Sequence, residues 1–431
     1  VKLKPLLIAL SLFAAFSCQP QPGNAPENQE EVSNEPAPSS MQIRPEILKD
    51  KVLGMLLGSA IGDAMGAPTE MWSRRDIIVD YGYVSDLDTM VREPSAEGTW
   101  DFNLPAGGTT DDTRWKALTT EYLLTQKPNA KLDPTDFADL IISRYQEGIQ
   151  SLKNTESFAP EPFEENTRKL AWLQEWAIVA KPFVEDDLQA YAYALSQFYG
   201  GEMTCAGMLY TPVVGAFYPA QPQMAYAEAY RISLFDLGYA RDISALTAAM
   251  VSTAMSADAT PEGVINVMRD VDPEGYFSSR LVGRTAYRLL RDARNIVYEA
   301  QQLKENDIDK QNIQMPKGFT DTLRMARTLK AYELLDAKNQ DMPFHAGEIH
   351  LVNLTALLFC NFDFRETLAF VVNFGRDNDT TAAVTGAILG AYWGADKLPE
   401  QMKKQILLTN QELLNTDLQQ LASQLAKQIG S

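Results

Sequence analysis

Residues 53–70 read LGMLLGSAIGDAMGAPTE, and residues 373–399 read NFGRDNDTTAAVTGAILGAYWGADKLP. In the first stretch Gly54, Gly58, Gly62 and Gly66 fall four apart, and in the second Gly386, Gly390 and Gly394 do the same. A spacing of four places residues on one face of a helix. A mid-helix glycine costs about 1 kcal/mol against alanine, so a glycine stripe is expected where two helix backbones must approach closely. A membrane-dimer face is the other reading of such a repeat. Asp63 inside the first stretch, and the Asp and Lys residues flanking the second, argue against it. The pattern therefore predicts two tightly packed helices near the middle of the fold.

Most of the chain around these stretches also reads at helical period, as in residues 167–179, 187–198, 223–234, 245–255, 280–303 and 321–335. Glu185-Asp186-Asp187 opens one apolar run and Gly200-Gly201 closes it; the acidic trio reads as a helix cap, not a metal site. Residues 413–429 form a Gln- and Leu-rich amphipathic stretch expected to pack on the domain. Alternating β-branched runs are scarce, and residues 77–87 are expected to hold one or two short strands. Residues 305–317 read as a surface connection. From residue 44 onward no low-complexity break appears. The expectation is an all-α fold, one large domain over residues 44–431.

Composition narrows the function. The chain has 431 residues, 45% of them hydrophobic and 22% charged, which is a globular profile. Asp and Glu number 57 against 38 Lys and Arg, a net charge of -19. So acidic a surface repels phosphate backbones, and nucleic acid is excluded as the expected partner. Three cysteines make no disulfide framework. Cys205 and Cys360 read as buried thiols, with a disulfide between them left open. His345 and His350 are the only histidines, which leaves little room for His-based zinc sites or catalysis. Both read as packing or surface residues. Trp172, Trp176, Tyr191, Tyr193, Phe198 and Tyr199 read as core, with stacking on a flat base as the alternative.

The N-terminal residues read as an address. Lys2 and Lys4 precede an apolar run, residues 6–16, whose eleven residues are too few to cross about 30 Å of hydrocarbon. Ala15-Phe16-Ser17-Cys18 resembles a bacterial lipoprotein lipobox, which implies a signal over residues 1–18 and lipidation of Cys18. An ordinary secretory signal with an incidental cysteine is the alternative. Residues 19–43, rich in Pro, Glu, Asn and Ser, are expected to be a disordered tether. The expected location is outside the cytoplasm, on a bacterial membrane through the lipid anchor alone.

Two acidic clusters carry the chemistry. Gly107-Gly108-Thr109-Thr110-Asp111-Asp112-Thr113 precedes one amphipathic run, and Gly375-Arg376-Asp377-Asn378-Asp379-Thr380-Thr381 precedes the other glycine-striped helix. Taken singly, each suits a helix cap. One cap needs one such residue, however, and adjacent carboxylates repel unless a cation neutralises them. Oxygen donors suit Mg²⁺, Mn²⁺ or Ca²⁺. Two clusters so far apart in sequence suggest one shared site, with two ions about 3.5–4 Å apart. A third element, Gly62 to Glu70, leaves Glu70 at a helix exit after Gly66 and Pro68. Arg376 is open to two roles, contact with a substrate pyrophosphate or pairing with a neighbouring acid.

Together the three motifs resemble the ADP-ribosylglycohydrolase family, which includes the dinitrogenase-reductase-activating glycohydrolases and the ADP-ribosylhydrolases. The resemblance implies an all-α orthogonal bundle, a centre of two Mg²⁺ or Mn²⁺ ions, and hydrolysis of a glycosidic bond to ADP-ribose. By that resemblance Thr110, Asp111 and Asp112 match the first ligand set, and Asp377, Asp379 and Thr380 the second. Glu70 matches the acid beside the metals, and Glu70 or Asp112 is expected to handle the proton. Thr109 and Phe235-Asp236 depart from the family pattern at positions that shape the substrate pocket. The expected substrate is an ADP-ribosyl or related ribosyl glycoside, with no protein partner inferred. Two alternatives remain: a non-catalytic metal-dependent binder of ADP-ribose or nucleotide, and a Ca²⁺-stabilised structural lipoprotein.

Overall fold

The computed structural model describes residues 43–430 apart from 92–102, 155–159, 309–312, 314 and 317–318; for 160–169 it describes the backbone alone. The chain divides into two units, Val1–Met41 and Gln42–Ser431, and the second holds everything described. The signal, most of the tether and Cys18 lie outside the described residues.

Among the described residues the fold is all-α, with seventeen α-helices, α1 to α17 in chain order. The first three are α1 (Pro45–Gly66), α2 (Arg74–Asp80) and α3 (Asp111–Thr125). The middle of the chain supplies α4 (Pro134–Lys153), α5 (Pro160–Val184), α6 (Leu188–Gln197), α7 (Thr211–Phe217), α8 (Pro222–Ile232) and α9 (Ala240–Ala254). Then come α10 (Pro261–Asp270), α11 (Thr285–Gln302), α12 (Thr322–Asp336), α13 (Ala346–Phe359) and α14 (Phe364–Phe374). The chain ends with α15 (Asn378–Trp393), α16 (Glu400–Leu413) and α17 (Leu418–Ile429).

The two glycine-striped helices, α1 and α15, form the centre. A Cβ on Gly58 would collide with the Gly386 carbonyl, one on Gly390 with the Gly54 carbonyl, and one on Gly62 with the Ala382 carbonyl. Their backbones touch with no side chain between them. Both helices are buried nearly all round, which is why their apolar residues show no one-sided stripe. Lys51 fastens a third helix to this pair. Its Nζ donates to the carbonyls of Ala254 at 2.8 Å, Ala391 at 3.0 Å and Tyr392 at 3.0 Å. One buried ammonium thus satisfies the C-terminal ends of α9 and α15, where the helix dipoles are negative.

Other expectations meet mixed outcomes. Asp187 caps α6 by accepting from Ala190 N at 2.9 Å, as its acidic trio predicted. The stretch at 413–429 is helical from Leu418 and packs Leu418, Ala422 and Leu425 into the core. The strands expected over 77–87 are absent there. Instead Ser73 caps α2, and Ile77 turns into the core; burial on one helical face outweighs the β-branched composition. The strands among the described residues are the two-residue pair Met90–Val91 and Asn103–Leu104, antiparallel to each other. Cys205 and Cys360 are both free thiols and buried. Among the described residues no helix is long and apolar enough to cross a membrane.

Candidate functional site

The α1 helix ends at Gly66, a short 3-10 turn covers Ala67–Thr69, and Glu70 follows at the exit. This exit is tied to the turn before α15 by three sets of bonds. Met71 N donates to the Arg376 carbonyl at 2.7 Å, and Arg376 N donates to the Trp72 carbonyl at 3.0 Å. Asn378 Nδ2 donates to Thr69 Oγ1 at 2.9 Å. The turn itself needs Gly375 at φ 86° and Arg376 at φ 67°. A Cβ at Gly375 would also press on the Trp72 carbonyl, at 2.6 Å. Only glycine meets both demands without strain.

The two acidic clusters, more than 260 positions apart, meet here. Thr380 Oγ1 donates to Asp112 Oδ2 at 2.9 Å, and Thr110 Oγ1 to Asp379 Oδ2 at 3.4 Å. The capping alternative holds for one cluster and fails for the other. Thr110 caps α3 by accepting from Asp112 N. Asp377 stands at the N-cap position of α15 but makes no cap hydrogen bond from its side chain. Its carboxylate is left to face the cavity, with the Cys205 thiol donating to Oδ2 at 3.8 Å.

That cavity has a volume of about 420 Å³. Glu70, Asp111, Asp377, Asp379 and Thr380 line its acidic side. Trp172, Trp176, Tyr199 and Phe344 line the other. The aromatic residues therefore divide: Phe198 is core, while Trp172 and Tyr199 line the cavity. Tyr199 adopts φ 43° ahead of Gly200 and Gly201, a bend that brings its ring to 6.0 Å from Phe344. Behind the wall, Asp236 accepts from Gly207 N at 2.8 Å and Phe235 packs edge-on against Trp176.

Burial and mutual repulsion disfavour charge on the acidic side. Burial raises Asp377 well above the usual carboxylate range, and the charge of Asp379 adds to it. Burial raises Asp379 likewise, with Glu70 the next contributor. Desolvation, then the charge of Asp112, lifts Asp111 to about 6. The thiol of Cys205 is pushed well above its normal range by burial and by Asp377, so it stays protonated.

Asp63 is a site residue that the sequence marked only as an acid in an apolar helix. It is fully buried and accepts from Thr110 N at 3.0 Å, Thr113 N at 3.1 Å and Thr113 Oγ1 at 2.6 Å. It thereby fixes the first turn of α3 against α1. Burial and the nearby Asp112 raise it to about 7. Lys116, buried one turn beyond Asp112, was not marked by any motif.

Arg376 and Asp112, two residues of the expected set, do not line this cavity. Arg376 points away from the cavity: Nε meets Glu348 Oε1 at 2.6 Å, and Nη2 meets Glu348 Oε2 at 2.8 Å and the Gln340 carbonyl at 2.7 Å. Of its two possible roles the structure shows the ion pair. Asp112 does not line the cavity but stands behind it, 1% exposed, with Lys116 on Oδ1 and Thr380 on Oδ2. Of the two acids expected to handle the proton, Glu70 is on the wall. His345 and His350 also lie off the wall; His345 caps α13 through Nδ1.

The donor set fits a hard divalent cation. Every candidate donor is a carboxylate or hydroxyl oxygen, and buried Asp379 Oδ1 has no hydrogen-bond partner. Among the described residues no three Asp, Glu, His or Cys side chains already stand grouped to hold one ion. The carboxylates rest instead on protein donors: Asp112 on Lys116 and Thr380, Asp379 on Thr110, Asp377 on Cys205.

Comparison with known proteins agrees with this picture. A family model described as ADP-ribosylglycohydrolase matches residues 44–431. A solved structure described as an ADP-ribosylglycohydrolase-related protein complex superposes with a TM-score of 0.53 at 18% identity, covering 89% of this chain and 99% of that one. At that identity the likeness speaks for the fold. No curated protein matches the chain.

Proposed function

The chain belongs to the ADP-ribosylglycohydrolase family, and from that premise we propose that it is a divalent-metal-dependent hydrolase cleaving the glycosidic bond of an ADP-ribosyl or related ribosyl substrate. The observation that carries this reading is the meeting of the Thr110-Asp111-Asp112 and Asp377-Asn378-Asp379-Thr380 segments beside one cavity, whose wall takes Asp111, Asp377, Asp379 and Thr380 from them. Thr110, Asp111, Asp112, Asp377, Asp379 and Thr380 would hold two Mg²⁺ or Mn²⁺ ions. When bound, such ions orient ribose hydroxyls, acidify a water and offset negative charge.

The chain's own residues do the rest. Glu70 faces the cavity from the exit of α1 and takes the proton of the attacking water. The water oxygen bonds to the anomeric carbon as the bond from that carbon to the leaving group breaks. Positive charge that develops on the ribose is stabilised by the surrounding carboxylates. Trp172 and Tyr199, on the cavity wall, are the candidates to stack on a base. The export reading belongs to the same proposal and rests on residues 1–18, with Cys18 as the lipidated residue.

Incubation of the protein with ADP-ribosylated amino acids and proteins, with and without chelator, tests the activity. Release of ADP-ribose that requires Mg²⁺ or Mn²⁺ and falls at least a hundredfold in Asp377→Asn is the expected result. Substrate binding with no release under any metal would favour a non-catalytic binder. A strong Ca²⁺ preference without turnover would favour a structural role.

A further inference from the structure

The most unusual group at the site is a lysine. Lys116 is 1% exposed and sits one helical turn past Asp112, which is equally buried. Its Nζ donates to Asp112 Oδ1 at 3.1 Å and to the Asp112 carbonyl at 3.0 Å. Thr380 Oγ1 takes the other carboxylate oxygen. Asp63, Asp111 and Asp379 stand close enough to interact with Asp112 or with the ammonium. A positive charge of protein origin is therefore built into the interior of an acid cluster, at a carboxylate that also belongs to the expected metal ligands.

Such a charge has two consequences. It offsets repulsion among the carboxylates when no ion is present, since a buried acid that loses its partner is strongly destabilising. It also repels a divalent ion placed among the same oxygens and keeps Asp112 Oδ1 from it. We propose that Lys116 is a resident cation of the cluster: it holds the site together while empty and competes with the divalent ion for Asp112, so that loading is reversible. This rests on the metal-dependent reading above. In that reading Lys116 is a positioning residue, acting through Asp112.

The test is Mn²⁺ titration of the chelator-treated full chain by calorimetry, for the wild type, Lys116→Met and Lys116→Gln, with the metal-free melting temperature of each. Both variants are expected to bind Mn²⁺ at least tenfold more tightly than the wild type, and the metal-free variants to melt at lower temperature. A lysine that only filled space or aligned Asp112 would leave the affinity unchanged or weaken it on removal. Unchanged or weaker Mn²⁺ affinity in the variants overturns the inference and leaves the hydrolase reading standing. Absence of Mn²⁺ binding in the wild type as well as the variants overturns the metal centre and this inference with it. Lys116→Gln keeps a neutral donor beside Asp112, so the comparison survives if Lys116→Met folds only with metal.

Discussion

His350 shows how much one buried group can set. It is fully buried on α13, with Nε2 3.2 Å from Met268 Sδ and no partner on Nδ1. Burial, aided by the nearby Arg284 charge, lowers it from 6.5 to about 3. The unfolded chain therefore binds a proton that the folded chain refuses between those values. Its contribution is fully present above pH 6.5 and is lost as pH falls toward 3, at up to about 1.4 kcal/mol per pH unit. Replacing His350 by leucine should flatten the acid side of the stability curve. Chemical denaturation at pH 6.5 and 4.5 checks this: a wild-type loss that His350→Leu fails to reduce would refute it. The two-histidine count was visible in the sequence, but the burial that gives His350 this role was not. The same holds at Arg376, whose two possible roles could be stated from its neighbours in sequence but decided only by Glu348, 28 positions earlier.

At the scale of elements, the pairing of α1 and α15 departs from ordinary helix packing, in which side chains interdigitate at axial separations of about 8–10 Å. Here glycine faces glycine and carbonyls occupy the space a methyl would need. Alanine normally improves a mid-helix glycine site by about 1 kcal/mol. Gly386→Ala should do the reverse and cost about 3 kcal/mol, because the Gly58 backbone cannot yield as a side chain would. Urea denaturation measures the sign directly, and a stabilised Gly386→Ala would show that the two backbones are not in contact. The close approach has a functional result. It brings the exit of α1, with Glu70, beside the first turn of α15, with Asp377 and Asp379. The glycine spacing made the pairing legible in advance. The strands expected at 77–87 failed because local β-propensity was read without the core that buries Ile77.

For the whole molecule, the site is a closure of the chain on itself. Its acids come from α1 and its exit, from α3 and from the start of α15, and α17 packs beside α1 and α3, so the last elements support the first. A cation bound there links segments that separate on unfolding. Addition of Mg²⁺ to chelator-treated protein should therefore raise the melting temperature with concentration, reaching about 2.7 kcal/mol of added stability at a hundredfold excess over the dissociation constant. Asp111→Asn should lose most of that gain. Calorimetric melting with and without Mg²⁺ decides it, and an equal gain in the variant would place the ion elsewhere.

The sequence by itself determined the helical class, the glycine-driven central pair, and the oxygen-rich donor types, because each is written in local spacing or residue chemistry. Helix periodicity, close approach without Cβ atoms, and the oxygen donors of Asp, Glu and Thr need no knowledge of distant contacts. Only the tertiary structure decided that Asp112 stands behind the wall while Glu70 stands on it, that Arg376 turns outward, and that Asp63 and Lys116 brace the cluster. Those outcomes depend on which remote groups fill the space around each side chain, and burial and pairing across hundreds of residues have no signature in neighbouring letters.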